Sequence, residues 1–155
     1  MREDTPSSYR DVGLFALLGL EMTHSEEGRV SGQLRIDAKH KNRAGFVHGG
    51  VLCSMIDFAA CAAGLHAPAG QPPRFGVTLS LTTQFTRAAD KGVLRVDGKM
   101  LSAARKSYTA EAHIYNEAGD LVAHGIGTFQ WRPDSEPVSQ PLADSKKSRT
   151  DRSDV

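Results

Sequence analysis

Residues 46–65 form one apolar run, Phe46-Val47-His48-Gly49-Gly50-Val51-Leu52-Cys53-Ser54-Met55-Ile56-Asp57-Phe58-Ala59-Ala60-Cys61-Ala62-Ala63-Gly64-Leu65, with no proline until Pro68. A helix that is apolar nearly all round cannot lie on a surface and must be enclosed by other structure. The run has about the length of a membrane span, but Asp57 stands near its centre, where insertion of a carboxylate costs roughly 2.5–3.5 kcal/mol. Three glycines, His48 and many alanines return little of that. The run is therefore expected to be a central helix over about 49–65 in a folded domain, away from any membrane.

The cover for this helix has to come from the rest of the chain, where side chains repeat with period two. Val30, Leu34 and Ile36 alternate with Ser31, Gln33 and Arg35. Beyond a loop over 68–73, Val77, Leu79, Leu81 and Phe85 read as one face of a strand, with Thr78, Ser80, Thr82 and Gln84 on the other. Leu94 and Val96 continue the pattern, then Tyr108, Ala110, Ala112 and Ile114, and a turn at 116–120 leads into a strand ending near Trp131. One helix and about five antiparallel strands predict an α+β domain in which a curved sheet wraps the helix. A short helix over about 7–19 precedes it, and residues 1–132 form the domain. The charged, proline-containing stretch 133–155 reads as a disordered tail.

Composition excludes several functions. The 155 residues carry Lys+Arg 19 against Asp+Glu 18. The single basic cluster, Lys146-Lys147-Ser148-Arg149, is interleaved with acids, so no nucleic-acid-binding face is expected. The acidic start, Met1-Arg2-Glu3-Asp4, is unlike a signal peptide and suggests a cytoplasmic protein. Six histidines and two cysteines show no metal-ligand spacing, and no cofactor is implied. Cys53 and Cys61, eight apart on one helix, would lie about 12 Å apart, beyond disulfide reach.

Asp57 is the only carboxylate between Asp37 and Asp90. Aspartate has poor propensity in a helix interior, and a charge there is costly unless something uses or neutralises it. Nearby, Asn42, His48 and Gly49 bring an amide, an imidazole and a backbone donor to the start of the same helix. Each has an ordinary alternative: Asn42 as a turn residue, His48 as a helix cap, Gly49-Gly50 as a turn. Together they suit a carboxylate that activates water or attacks a carbonyl while helix-start N–H groups hold the developing oxyanion. Asp57 would share its face with Cys53, Ala60, Cys61 and Gly64, leaving room for a ligand.

Asn42-Arg43-Ala44-Gly45-Phe46-Val47-His48-Gly49-Gly50-Val51-Leu52, with Asp57 nine residues after the histidine, resembles the hotdog-fold acyl-CoA thioesterases of the phenylacetate-pathway (PaaI-like) type. The likeness extends from Leu17 to Trp131. It implies that Asp57 is general base or nucleophile, that Gly49 donates its N–H to the thioester oxygen, and that His48 and Asn42 position thioester or water. Thr78 falls where relatives carry a hydroxyl facing the reacting centre. Gly50, Phe46 and Phe58 are the expected substrate contacts, with Phe75, Phe85 and Met55 as further pocket candidates. The implied substrate is an acyl-CoA whose phosphates meet cations such as Arg74, Arg87, Arg105 or Lys106. The implied assembly is a homodimer, or a tetramer made of two dimers, with sites at the dimer interface and Asp57 opposite His48 and Gly49 of the other subunit.

Three other readings compete. A non-catalytic acyl-CoA sensor needs no carboxylate at the thioester, and no helix-turn-helix segment is present for DNA output. A hydroxyacyl-thioester dehydratase would use an acid or base on the same fold. A Cys53 nucleophile served by His48 is disfavoured if that thiol is enclosed in apolar surroundings.

Overall fold

The computed structural model describes residues 13–132. In chain order the elements are α1 (Gly13–Leu18), β1 (Leu20–Glu26), β2 (Arg29–Arg35), a 3₁₀ turn (Ala38–His40), α2 (Gly49–Ala63), β3 (Gly76–Phe85), β4 (Val93–Ala103), β5 (Ser107–Tyr115) and β6 (Leu121–Trp131). The strands form one antiparallel sheet in the order β1-β2-β4-β5-β6-β3. α2 packs against all six strands. This is the expected α+β hotdog architecture, a sheet wrapped around one central helix.

Four details differ from expectation. There are six strands; β1 escapes sequence reading because Leu20-Glu21-Met22-Thr23-His24-Ser25-Glu26 alternates only at its start, and a bulge between Met22 and His24 then breaks the register. α2 ends at Ala63, with Gly64 as its cap. Of the N-terminal helix only Gly13–Leu18 is seen, and residues 7–12, like the tail 133–155, lie outside the described residues. The fourth concerns β3, whose alternation is broken by a bulge between Thr78 and Ser80.

The core lies between α2 and the sheet. Met55, Ile56, Ala59, Leu34, Leu94, Val96, Ile114 and Phe129 are inaccessible to solvent, and each large apolar side chain so enclosed contributes about 1.5–3 kcal/mol. The helix lies so close to the sheet that a Cβ at Gly98 would fall inside the Ala59 backbone. At the other end, Gly64 leaves room for the Tyr108 ring, which a Cβ would overlap. The last carbonyls of a helix need donors from outside it. Here Tyr108 Oη donates to Cys61 O at 2.6 Å and Trp131 Nε1 to Gly64 O at 2.9 Å. β5 and β6 thus fix the C-terminal end of α2, and with it the height of Asp57 along the sheet.

Candidate active site

The start of α2 is built by the loop before it. Asn42 Oδ1 accepts from Ala44 N at 2.9 Å and Phe46 N at 3.2 Å, while Gly45 N donates to Asn42 O. Asn42 therefore shapes the loop, as its residue type suggests. His40, which sequence reading passed over, is the one buried polar residue among those described. Its Nδ1 accepts from Asp37 N at 2.8 Å, and Nε2 lies 2.7 Å from Leu18 O. With its carbonyl accepting from His48 N, it clamps the loop to α1. The signal available was a histidine three residues after an N-capping aspartate, the spacing of a capping box.

His48 caps α2, its Nδ1 accepting from Gly50 N at 2.8 Å. That bond assigns the neutral ring's proton to Nε2, leaving an exposed donor. It also occupies the Gly50 N–H. Gly49 N–H, by contrast, has no acceptor among the described residues. It is an unpaired donor at a helix N-terminus, where negative charge is stabilised. The Phe85 ring covers Gly49, at a distance where a Cβ would sit 3.4 Å away.

Asp57 lies two turns further along. It is half-buried rather than enclosed, in a stripe with Cys53 and Cys61, while Ala60 and Gly64 are buried. Thr78 Oγ1 donates to Asp57 Oδ1 at 2.6 Å. The β3 bulge makes this possible. Before it, Gly76 and Thr78 pair with Trp131 and Phe129; after it, Leu81, Thr83 and Phe85 pair with Gly127, Gly125 and Ala123. Paired residues share a sheet face, so Thr78 lies on the helix side with Leu81, Thr83 and Phe85, and Val77 on the other. The expected separation of Thr78 from Leu81 and Phe85 is corrected accordingly.

The proposed substrate contacts divide. Phe46 is 42% exposed and, with Asn42, Gly49, Leu52, Phe85 and Arg87, lines a cavity of about 450 Å³ beside the start of α2. Phe58 is 3% exposed and meets Phe15 edge-on at 5.0 Å, so it belongs to the packing; Met55 is fully buried. The stripe opposite Asp57, with Leu52, Met55, Ile56 and Ala59, is buried, as helix spacing suggests.

Cys53 is half-buried beside Thr83, with Sγ 3.5 Å from Oγ1. Burial pushes the Cys61 thiol up to about 11, against an opposing hydrogen bond from Tyr108 and with a smaller contribution from the Asp57 charge. Such a thiol is a poor nucleophile. Among the described residues no group of three or more His, Cys, Asp or Glu could hold a metal ion, and no helix is long and apolar enough to cross a membrane.

Comparison with known proteins gives the family and the fold. The family model described as the thioesterase superfamily matches residues 44–123, from the loop before α2 to the first residues of β6. A protein of Archaeoglobus fulgidus named as an esterase is 26% identical over 134 residues, spanning 84% of this chain and 83% of the relative. A conserved protein of Pseudomonas aeruginosa superposes with a TM-score of 0.74 at 29% identity, over 83% of this chain and 100% of that one. The PaaI protein of Escherichia coli, from its phenylacetic acid degradation operon, shares the fold, with a TM-score of 0.65 at 22% identity over 75% of this chain and 81% of that one.

Proposed function

This chain belongs to the thioesterase superfamily, and on that premise we propose that it hydrolyses acyl-CoA thioesters at sites assembled between two copies of itself. The observation that carries the reading is the Thr78–Asp57 hydrogen bond, which engages Oδ1 and leaves Oδ2 for the reaction. As general base, Asp57 takes a proton from water, whose oxygen adds to the thioester carbon. The carbonyl oxygen becomes an oxyanion held by Gly49 N–H. Collapse breaks the C–S bond, and the leaving thiolate recovers a proton. Direct attack by Asp57 through an anhydride uses the same groups. In this reading His48 Nε2–H serves as a second donor to the thioester, its Nδ1 being engaged by Gly50 N.

Two chains are needed because one is too long. Asp57 and Gly49 are eight residues apart on one helix, about 12 Å, whereas an oxyanion donor must lie within about 3.1 Å of its oxygen. β3 supplies the remedy. It ends the sheet, so one of its edges is unpaired among the described residues, and it exposes Val77, Leu79 and Phe85. A free strand edge of ten residues is a template for pairing. β3 carries Thr78, bonded to Asp57, near its start and Phe85, packed on Gly49, at its end. Antiparallel pairing of β3 with its own copy about a two-fold axis brings Asp57 of one protomer toward the partner's Gly49. The apolar cavity beside Gly49 then suits the acyl group.

Asp57→Asn tests this reading. The variant keeps the fold by circular dichroism and loses nearly all hydrolysis of acyl-CoA; an unchanged rate rejects the proposal, and tight acyl-CoA binding without turnover by the unaltered protein favours a sensor instead.

A further inference from the structure

Along an antiparallel strand, successive residues turn their N–H and C=O groups to opposite sides. Thr86 N donates to Val122 O, toward β6, so Gln84, Thr82 and Ser80 address β6 as well. Leu81, Thr83 and Phe85 turn their backbone groups to the open edge of β3, and their side chains lie on the helix side of the sheet. Phe85 is 53% exposed even though it packs on Gly49. A strand added along this edge would cover it.

Pairing of β3 with its own copy about a two-fold axis admits few registers, because paired residues share a face. One of them meets the demand of the site. With Thr82 opposite the partner's Thr82, Leu81 falls opposite the partner's Thr83 and Ser80 opposite the partner's Gln84. Leu79 is the extra residue of the bulge, so the next pair is Thr78 with the partner's Phe85, both on the helix side. Thr78 holds Asp57 and Phe85 lies on Gly49, so the two halves of one site meet. In a regular strand Leu79 would take that place and Thr78 would point away from the helix. α2 leads to the same axis through other residues. Gly49 and Asp57 stand four residues to either side of Cys53, so wherever Asp57 faces the partner's Gly49, Cys53 faces its own copy. Cys53 lies beside Thr83, the neighbour of Thr82, with Sγ 3.5 Å from Oγ1.

We infer that β3 pairs with its copy in this register, and that the partner's Phe85 is the wall of each site next to the reacting carbonyl, where it limits the acyl group. The inference deepens the thioesterase reading and rests on it. A carbonyl held between Asp57 and the partner's Gly49 N–H has the ring of the partner's Phe85 at its side, since a Cβ on Gly49 would already touch that ring at 3.4 Å. Substituents on the carbon beside the carbonyl meet the ring first. Acyl groups branched there are rejected, whereas straight chains pass into the apolar cavity that the same ring helps to line.

Cysteine substitutions on the outer face of β3 test the register without touching the site. Ser80, Thr82 and Gln84 are exposed there, and each chain also carries Cys53→Ala and Cys61→Ala so that no native thiol reacts. Under oxidation by diamide, Thr82→Cys is expected to form a covalent dimer on its own, because directly opposite residues have Cα atoms about 4.5–5.5 Å apart, within disulfide range. Ser80→Cys and Gln84→Cys, each about 13 Å along the strand from its own copy, are expected to stay uncrosslinked alone and to crosslink when refolded together. A covalent dimer of Ser80→Cys or Gln84→Cys alone, or none from Thr82→Cys, overturns the register. The wall is read from Phe85→Ala and the milder Phe85→Leu, with 2-methylbutanoyl-CoA and its straight-chain isomer pentanoyl-CoA. The ratio of kcat/KM for the branched over the straight thioester is expected to rise about ten-fold in Phe85→Ala, the scale on which a pocket discriminates one methyl group, and less in Phe85→Leu. An unchanged or lower ratio in folded protein overturns the wall. Calorimetry on Asp57→Asn, with and without Phe85→Ala, reads the same preference as a ratio of Kd without turnover. A protein that forms the Thr82→Cys crosslink and shows this binding preference, but cleaves neither thioester, counts against the hydrolase reading alone.

Discussion

The Thr78 hydroxyl donates to Oδ1 of Asp57 at 2.6 Å across the gap between β3 and α2, and a bulge one residue later in β3 lets Thr78 face the helix together with Leu81, Thr83 and Phe85. The bond orients the carboxylate and assigns its two oxygens different roles, one held and one open. Both effects follow from a local break in strand register next to the site, a common position for bulges.

Removing the hydroxyl while keeping side-chain shape isolates this bond. Thr78→Val is expected to lower kcat by roughly 10- to 100-fold, since a hydrogen bond to a charged group is worth about 1.5–3 kcal/mol. Thr78→Ser restores most of it. Steady-state kinetics checks the pair, and an equal loss in both variants would point to packing rather than the hydroxyl.

Gly49 offers a substitution that removes a backbone donor. Proline is accepted at the first position of a helix, where its missing N–H costs nothing. The preceding His48, at φ −64 and ψ 138, already has the extended conformation that proline demands of its neighbour. A Cβ at Gly49 meets Phe85 only at ordinary contact distance. Gly49→Pro is therefore expected to fold with a melting temperature near that of the unaltered protein and to lose about 10²- to 10³-fold in kcat. Folded protein with full activity would remove Gly49 N–H from the mechanism.

Cys61 gives an alkaline signature. Its pKa is raised from 9.0 to about 11 in the folded chain, first by burial, so the unfolded chain releases this proton at lower pH. The associated stability is intact below about pH 9 and is lost as pH rises through about 11, by at most about 3 kcal/mol. Urea midpoints between pH 8 and 11 are expected to fall more steeply for the unaltered protein than for Cys61→Ala. Parallel curves would show that the thiol ionises as freely folded as unfolded.

Much of this was legible in the sequence, for physical reasons that vary by element. An apolar run without proline has few options, so α2 could be read directly, and the strict alternation of Tyr108, Ala110, Ala112 and Ile114 marked a strand with one buried face, as found. The Asn42 to Asp57 spacing pointed to the candidate site. What could not be read depends on tertiary geometry: the β3 bulge, which reversed the face assigned to Thr78; the packing of Phe58 against Phe15, which takes it away from substrate; and the donors for the end of α2, which come from Tyr108 and Trp131, far along the chain. β1 was missed because its outer half is polar on both faces.

The central claim is that Asp57 of one protomer and Gly49 of the other act on one carbonyl, and mixing two inactive proteins tests it. Asp57→Asn and Gly49→Pro chains are unfolded together in equal amounts, refolded, and assayed for acyl-CoA hydrolysis. Random pairing makes half the dimers mixed, and each mixed dimer has one intact site of two, so about one quarter of the unaltered activity is expected to return. A mixture no more active than its separate components, with exchange of chains demonstrated by mass spectrometry of the intact dimers, would contradict the account.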